Sequence, residues 1–304
     1  MHDASAPRKA VSPQSGGPLA FAALIVGNVA LAIGPWFVRL TDVGPVAAGF
    51  WRITLATPLL LGLAMLTGKR PFAGARGLGW VLVGSGVLFA GDLASWHVGI
   101  HHTKLANATL FGNAATFVFP LYGFLVARAW PTRMQGLALA LAAVGAALLM
   151  GRSYQLAPQN LIGDLLCLAA GILYAGYFIL MARARATMAP LPALGLSSAT
   201  ASLPLLIAAI VLGERVMPGN WTPLLALALL SQVIGQGLMI YALGKFSPLV
   251  IGLALLTQPV VAATIGWLAY GEALGAADFV GAILVAIALV LVRIAPQRRT
   301  ITSG

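Results

Sequence analysis

The sequence predicts an all-α polytopic membrane protein: ten transmembrane helices, arranged as two inverted five-helix repeats around a central cavity. Three observations predict this fold. The chain divides into about ten apolar stretches, each near the ~20 residues an α-helix needs to cross a bilayer. The first five stretches are echoed by the second five, and an odd number of crossings per copy sends the second copy into the membrane from the opposite side. Composition agrees: 60% of residues are hydrophobic, 8% are charged and the mean hydropathy is +0.94, against roughly 25% charged residues in a soluble domain.

The spacing places crossings at 18–38, 45–67, 77–100, 105–127, 133–151, 160–182, 191–213, 222–244, 248–270 and 274–293. The domain organisation expected from them is a disordered cytoplasmic tail over 1–17, a first repeat over 18–151 and a polar linker over 152–159. A second repeat over 160–293 and a short cytoplasmic tail over 294–304 complete it. Residues 1–17 are polar, and no small-residue cleavage site follows the first apolar run, so an uncleaved first helix is expected. The 35 glycines and 18 prolines suit a membrane bundle, where small residues let helices approach and neighbouring groups repair local breaks. Cys167 is the single cysteine, so no disulfide forms within the chain.

The net charge of +11 resides in short loops. No basic helix or aromatic-interleaved strand is present to read nucleic acid, and no such partner is expected. With a cytoplasmic N-terminus, the inside segments hold thirteen cations: Arg8, Lys9, Lys69, Arg70, Arg76, Arg128, Arg133, Arg183, Arg185, Lys245, Arg293, Arg298 and Arg299. The outside segments hold Arg39, Lys104, Arg152 and Arg215, and Arg52 stays within a crossing. This asymmetry predicts both termini inside, in the inner membrane if the source is bacterial.

Four anchors carry the duplication. Gly34 before Trp36-Phe37 matches Gly176 before Tyr177-Phe178, and Pro58-Leu59-Leu60 matches Pro204-Leu205-Leu206. Gly123-Phe124-Leu125 matches Gly266-Trp267-Leu268, and Gly136 matches Gly281. Their order is the same in both halves and their offsets drift by only a few residues.

The run Gly-Pro-Trp-Phe-Val-Arg at 34–39 is one of three family-like motifs. The others are Pro45 with Phe50-Trp51-Arg52, and Gln258-Pro259 followed by Gly266-Trp267-Leu268-Ala269-Tyr270-Gly271-Glu272. Together they resemble the drug/metabolite transporter superfamily, and within it the EamA-type ten-helix carriers. The first half departs from the pattern, with Ala127-Arg128 where the second has Gly271-Glu272. The resemblance implies export of small metabolites, and within the branch the YddG-type exporters imply amino acids, including aromatic and hydrophobic ones.

Polar groups at membrane depth are costly and face the bundle interior. Arg52 and Asp92 lie seven to eight residues from the outer ends of their crossings, some 11 Å deep at roughly 1.5 Å per residue. They are placed to pair, either as a structural tie or as a gate. Asp92 alternatively takes up a coupling proton, or a substrate ammonium group. Asp164 sits close enough to the start of the sixth crossing to act as a helix N-terminal charge. The uncharged candidates for the cavity are Asn28, Trp96, Asn107, Asn113, Tyr174, Tyr177, Ser231, Gln232, Gln236, Tyr241, Thr257 and Gln258. Amides facing lipid are left unsatisfied, so these point inward, to bind substrate or to join helices. Trp36, Trp51, Trp80, Trp130, Trp221 and Trp267 fall near crossing ends, where aromatic belts form. Gly91, Pro120 and Pro259 are the expected bends, as hinges or as fixed kinks.

A pocket of amides, hydroxyls and aromatic faces with one deep cation suits a small zwitterion better than a phosphorylated compound. Alternating access by a secondary carrier or facilitator is the expected mechanism, with proton-coupled export of drugs or other metabolites as the alternative. An integral membrane enzyme built on His97, His101 and His102 is the reading from a different class. It lacks a Glu for HExxH and any nearby carboxylate or cysteine to complete a metal set. No Walker motif or nucleophile elbow is present, so no cofactor, metal or ATP hydrolysis is expected. The expected partners are the lipid bilayer and a small-molecule substrate, and a monomer is compatible with this layout.

Overall fold

A computed structural model describes residues 16–103, 108, 111–151, 158–270 and 275–294. These residues form an all-helical bundle. The first half contains α1 (Pro18–Arg39), α2 (Pro45–Leu66), α3 (Gly79–His101), α4 (Ala115–Ala127) and α5 (Arg133–Gly151). The second contains α6 (Leu161–Arg185), α7 (Pro190–Val211), α8 (Thr222–Leu243), α9 (Pro248–Leu255 and Thr257–Tyr270) and α10 (Ala276–Ile294). Among the described residues eight of these helices are long and apolar enough to cross a bilayer, and α4 and α5 are shorter apolar helices.

Proline sets several starts. Pro45 and Pro190 each open a 22-residue helix after an extended residue, Gly44 at ψ 155° and Ala189 at ψ 156°. The ring is preorganised for the first turn, and its missing N–H has no partner there to lose. Both helices end on a left-handed glycine, Gly68 at φ +72° and Gly213 at φ +68°, a conformation that costs a residue with a Cβ more than it costs glycine. The next N–H, of Lys69 or Glu214, turns back to Ala64 O or Ala209 O at 2.8 and 3.0 Å. The duplication is therefore legible in the caps as well as in the apolar runs.

The halves pack as a pseudo-twofold pair. α2 lies along α7, α4 along the first piece of α9, and α5 along α10, while α1 packs on α8 as α6 does on α3. At the α5/α10 crossing a Cβ on Gly145 or on Gly281 would sit 2.8 Å from the carbonyl oxygen of the other, so only glycine allows this approach. Gly136, matched to Gly281 by its offset, has open space around it. The two are equivalent in sequence order and different in packing.

Three helices depart from regular geometry. α1 breaks at Ile33, whose carbonyl accepts from both Trp36 and Phe37, just ahead of Pro35, which has no N–H to give. α9 breaks at Leu256, because Pro259 cannot donate to Leu255 O four residues back. α8 runs as a π-helix from Leu227 to Gln236. By contrast α3 is continuous through Gly91 and α4 through Pro120. Pro120 packs against Gly252, where a Cβ would meet its ring at 2.5 Å.

The loops define two faces. On the Arg39 face, Glu214 accepts from Val46 N at 3.2 Å and Ala47 N at 2.7 Å, capping the N-terminus of α2 from the other half. Gly44 N donates to Arg215 O at 3.0 Å, and Trp51 Nε1 to Val216 O at 2.7 Å. Asp42 accepts from Gly219 N at 2.7 Å and pairs with Arg215 at 3.3 Å. The start of α6 reaches this face too, where Thr103 donates to Asp164 at 2.5 Å. On the opposite face the Arg293 guanidinium lies 5.7 Å from the Phe21 ring and 5.8 Å from the Phe246 ring. The beginning of α1 and the end of α10 are therefore together. Trp36, Trp80, Trp130, Trp221 and Trp267 are exposed near helix ends.

Two outcomes follow from these loops. Position 69, the counterpart of Glu214, is lysine and cannot cap α7. Glu214→Ala is expected to destabilise the protein by about 1 kcal/mol, the scale of a lost N-cap, in thermal melts in detergent, and Lys69→Ala to change it by less than about 0.5 kcal/mol. The Gly219 N–H, with those of Asp42 itself and Asn220 and the Arg215 guanidinium, holds the Asp42 carboxyl below the usual carboxylate range against the opposing effect of desolvation. A lowered folded value means that its contribution is complete above the unfolded value and is lost as pH falls through the folded one. Limited proteolysis of the 212–221 loop is expected to stay flat from pH 7 to about pH 4 and to rise below that. In Asp42→Asn the loop is expected to be cut faster throughout.

Candidate functional site

A cavity of about 300 Å³ lies between the halves, lined from α1, α2, α3, α4, α6, α9 and the residues preceding α4. Its mouth is at Arg39, Trp36 and Pro35, all exposed, and it runs inward to Leu31, Phe89 and Tyr174. The broken segments supply much of its wall: Ala32, Pro35 and Trp36 from α1, and Leu255, Gln258 and Pro259 from α9.

One face of α3 supplies the floor. Phe89, Asp92 and Trp96 follow one another at three- and four-residue steps, which stacks them on a single side of the helix. Tyr174 and Tyr177 on α6 stand at a similar three-residue step. The Phe89 ring stacks on Tyr177 at 4.6 Å and on Tyr174 at 6.2 Å, and the two tyrosine rings are parallel within 4°. Above this column the Arg52 guanidinium lies 5.8 Å from the Phe89 centroid.

The polar side chains sort into two layers. Arg52, Asp92, Trp96, Asn113, Tyr174 and Gln258 line the cavity. Behind them, Gln232 is fully buried; it accepts from Arg52 Nε at 3.0 Å and donates to Ser198 Oγ at 3.1 Å. Gln236, also fully buried, accepts from Tyr174 OH at 3.3 Å and donates to Tyr177 OH at 3.1 Å. Asn28 accepts from Gln258 at 3.0 Å and donates to Leu24 O at 2.9 Å. These amides satisfy groups that would otherwise be orphaned in a dry interior, and they hold the lining side chains in place.

The remaining sequence candidates lie elsewhere. Ser231 is buried under Gly34, with its Oγ 2.9 Å from where a Cβ would stand. Tyr241 and Thr257 do not line the cavity, and Asp164 is bonded to Thr103 at the start of α6. Asn107 lies outside the described residues. Asn113 and Gln258, 145 residues apart in the two halves, both reach the cavity; Trp96 does so while Tyr241, 145 residues after it, does not. Arg52 and Asp92 share the cavity but form no ion pair among the described residues, because Arg52 is turned to Gln232. Phe89, Ser198 and Glu214 were not singled out by the sequence. The spacing of Phe89 from Asp92 and Trp96 was its available signal.

His97 is buried with its ring 5.3 Å from Trp96, and His101 and His102 are exposed. Among the described residues no three of His, Cys, Asp or Glu gather closely enough to hold a metal ion.

Comparisons with known proteins bear on this architecture. A solved protein described only as a crystal structure of a protein superposes with a TM-score of 0.74 over 90% of this chain and 95% of its own. At 15% identity the likeness is one of fold. An uncharacterized transporter from Archaeoglobus fulgidus is 29% identical over 147 residues, 47% of this chain. The match spans half the length of that relative, 50%. The model of the EamA-like transporter family matches twice, at residues 18–151 and 161–294, once over each half of the bundle. The chain belongs to the EamA-like transporter family.

Proposed function

We propose that this transporter exports small metabolites, namely amino acids, aromatic and hydrophobic ones included, by alternating access. The observation that carries the reading is the cavity between the two family units, which presents a cation, a carboxylate, amides and aromatic faces together. Ammonium groups rest well on the faces of Trp96 and Tyr174, while Asn113 and Gln258 offer amides to a carboxylate. The apolar wall from Leu31, Leu93 and Ile265 suits a hydrophobic side chain.

The cavity reaches the exposed Arg39, Trp36 and Pro35 at one end and Tyr174 at the other, where the Tyr174–Gln236–Tyr177 network backs it. Beyond that network the interior is filled by apolar side chains down to Phe21 and Phe246. Among described cations outside the crossings, Arg39 and Arg215 mark the Arg39 face. Lys69, Arg70, Arg76, Arg128, Arg133, Lys245 and Arg293 mark the other, together with Arg183 and Arg185 at the end of α6. The positive-inside rule makes the richer face cytoplasmic, with both termini on it. The cavity mouth then faces outward, and export requires the Tyr174–Gln236–Tyr177 side to open in the alternate state. Asp92, which accepts no hydrogen bond among the described residues, supports a second reading in which the same cycle carries a proton.

Flux of radiolabelled phenylalanine and leucine in proteoliposomes, with and without an imposed pH gradient, tests these readings. Saturable flux is expected. Trp96→Ala and Gln258→Ala are each expected to lower it about tenfold, the effect of losing one contact worth about 1.4 kcal/mol. A pH gradient that drives uphill flux assigns the proton-coupled cycle, and no flux of any amino acid overturns the substrate reading.

A further inference from the structure

The cavity holds Arg52 and Asp92 in its interior, with Arg39 at its mouth, and the two inner side chains form no hydrogen bond or ion pair with each other among the described residues. Arg52 on α2 and Asp92 on α3 both line it. In a low-dielectric site these opposite charges would be expected to close on one another. The structure instead shows the guanidinium held away: its Nε donates to Gln232 at 3.0 Å, and Gln232 is fixed in turn by its 3.1 Å bond to the fully buried Ser198. That tether leaves the guanidinium's terminal nitrogens without a protein acceptor, and the Asp92 carboxylate without a donor, among the described residues. The guanidinium lies 5.8 Å from the ring of Phe89, three residues before Asp92 on α3, and all three side chains line the cavity.

We infer that Arg52 and Asp92 form a split charge pair that selects zwitterions, Arg52 taking the ligand carboxylate and Asp92 its ammonium group. This rests on the proposed amino-acid reading and specifies how the site chooses among compounds of similar shape. A zwitterion completes both charges at once. A monocarboxylate answers Arg52 but sets a second negative charge beside Asp92, and an amine answers Asp92 but adds a second positive charge beside Arg52. Each singly charged ligand also leaves one protein charge desolvated and unpaired, the arrangement that costs most in a dry site. Arg39 stands at the exposed mouth, where water screens it, and does not offset this balance. Gln232 and Ser198 are positioning residues in this scheme: they keep the pair apart so that the ligand bridges it.

The experiment compares uptake of phenylalanine, 3-phenylpropionate and 2-phenylethylamine, which share the ring and differ in charge. The full-length protein is used in proteoliposomes at neutral pH, with leucine, 4-methylpentanoate and isoamylamine as a second set. The wild type is expected to prefer each amino acid over its acid and its amine by at least about tenfold, the effect of one charged hydrogen bond lost. Asp92→Asn removes the negative neighbour and is expected to shift the ratio of acid to amino acid upward at least about tenfold. Arg52→Gln is expected to do the same for the amine. Ser198→Ala, which touches no ligand, is expected to weaken the preference and to leave the folded fraction unchanged. Amino-acid flux without discrimination overturns the charge pair and leaves the amino-acid carrier standing. So does an unchanged ratio in Asp92→Asn protein that melts like the wild type, which decides the matter even where Arg52→Gln fails to fold. Absence of flux for all six compounds removes the amino-acid reading and this inference with it.

Discussion

The rest of the structure depends on one constraint: in a bilayer no water reaches the backbone, so every N–H and C=O must find its partner inside the protein. Regular helices meet that demand by themselves. Breaks meet it only where other protein or a cavity covers them. In this bundle the breaks at Ile33 in α1 and Leu256 in α9 border the cavity, and the π-helix over Leu227–Gln236 in α8 buries its polar face of Ser231, Gln232 and Gln236. α1 packs on the π segment, and residues on both sides of the two breaks line the cavity. The irregular backbone and the polar cavity are therefore one feature. The prolines at 35 and 259 remove the N–H that would continue each helical ladder, and they do so beside the cavity.

The same constraint explains why the polar side chains come in layers. A lining side chain such as Tyr174 or Gln258 offers part of its hydrogen-bonding capacity to the cavity, and the rest has to be met from behind. Gln236 and Asn28 do this without being exposed. The wider turn of the π-helix carries Ser231, Gln232 and Gln236 on the side of α8 that faces the bundle interior. That geometry turns one helix into a backing strip for residues on α2, α6 and α7.

Most of the fold was legible in the sequence, because a run of ~20 apolar residues has few alternatives and a proline after an extended residue marks a helix start. The offsets near 145 residues revealed the two copies, although they aligned Gly136 with Gly281 while packing joins Gly281 to Gly145. The site was legible in kind and less so in detail. Depth in an apolar run says that Gln232, Gln236 and Gln258 point inward; it does not say which of them reaches open space. That depends on small rotations of each helix, and in α8 on a π-helix that leaves no mark in composition. Gly34-Pro35 read as a motif, while its effect, the break one residue earlier, follows from the missing N–H. Glu214 escaped notice because a loop carboxylate gains meaning only when the folded chain brings an uncapped helix to it.

Glu214 also shows what the duplication does not copy. Two identical inverted halves would make the two faces of a carrier equivalent, and its two access states equal in free energy. Here the loops after α2 and α7 share their left-handed glycine and the bond that follows it. They differ in the next side chain, Lys69 against Glu214. Only the carboxylate can serve the positive end of the neighbouring helix. The Arg39 face is thus held by Glu214 on α2, Asp42 with Arg215, and Trp51 on Val216. The other face relies on Arg293 over Phe21 and Phe246 and on Thr187 donating to Gly74 O. In the proposed alternating-access cycle, unequal residues at equivalent positions of a near-symmetric scaffold would decide which state is lower. A difference of about 1 kcal/mol, the worth of a single helix cap, already populates one state about fivefold over the other. The resting orientation of such a carrier need not be designed into the fold. It follows from a few loop side chains on a near-symmetric backbone, while gradients across the membrane set the direction of net flux.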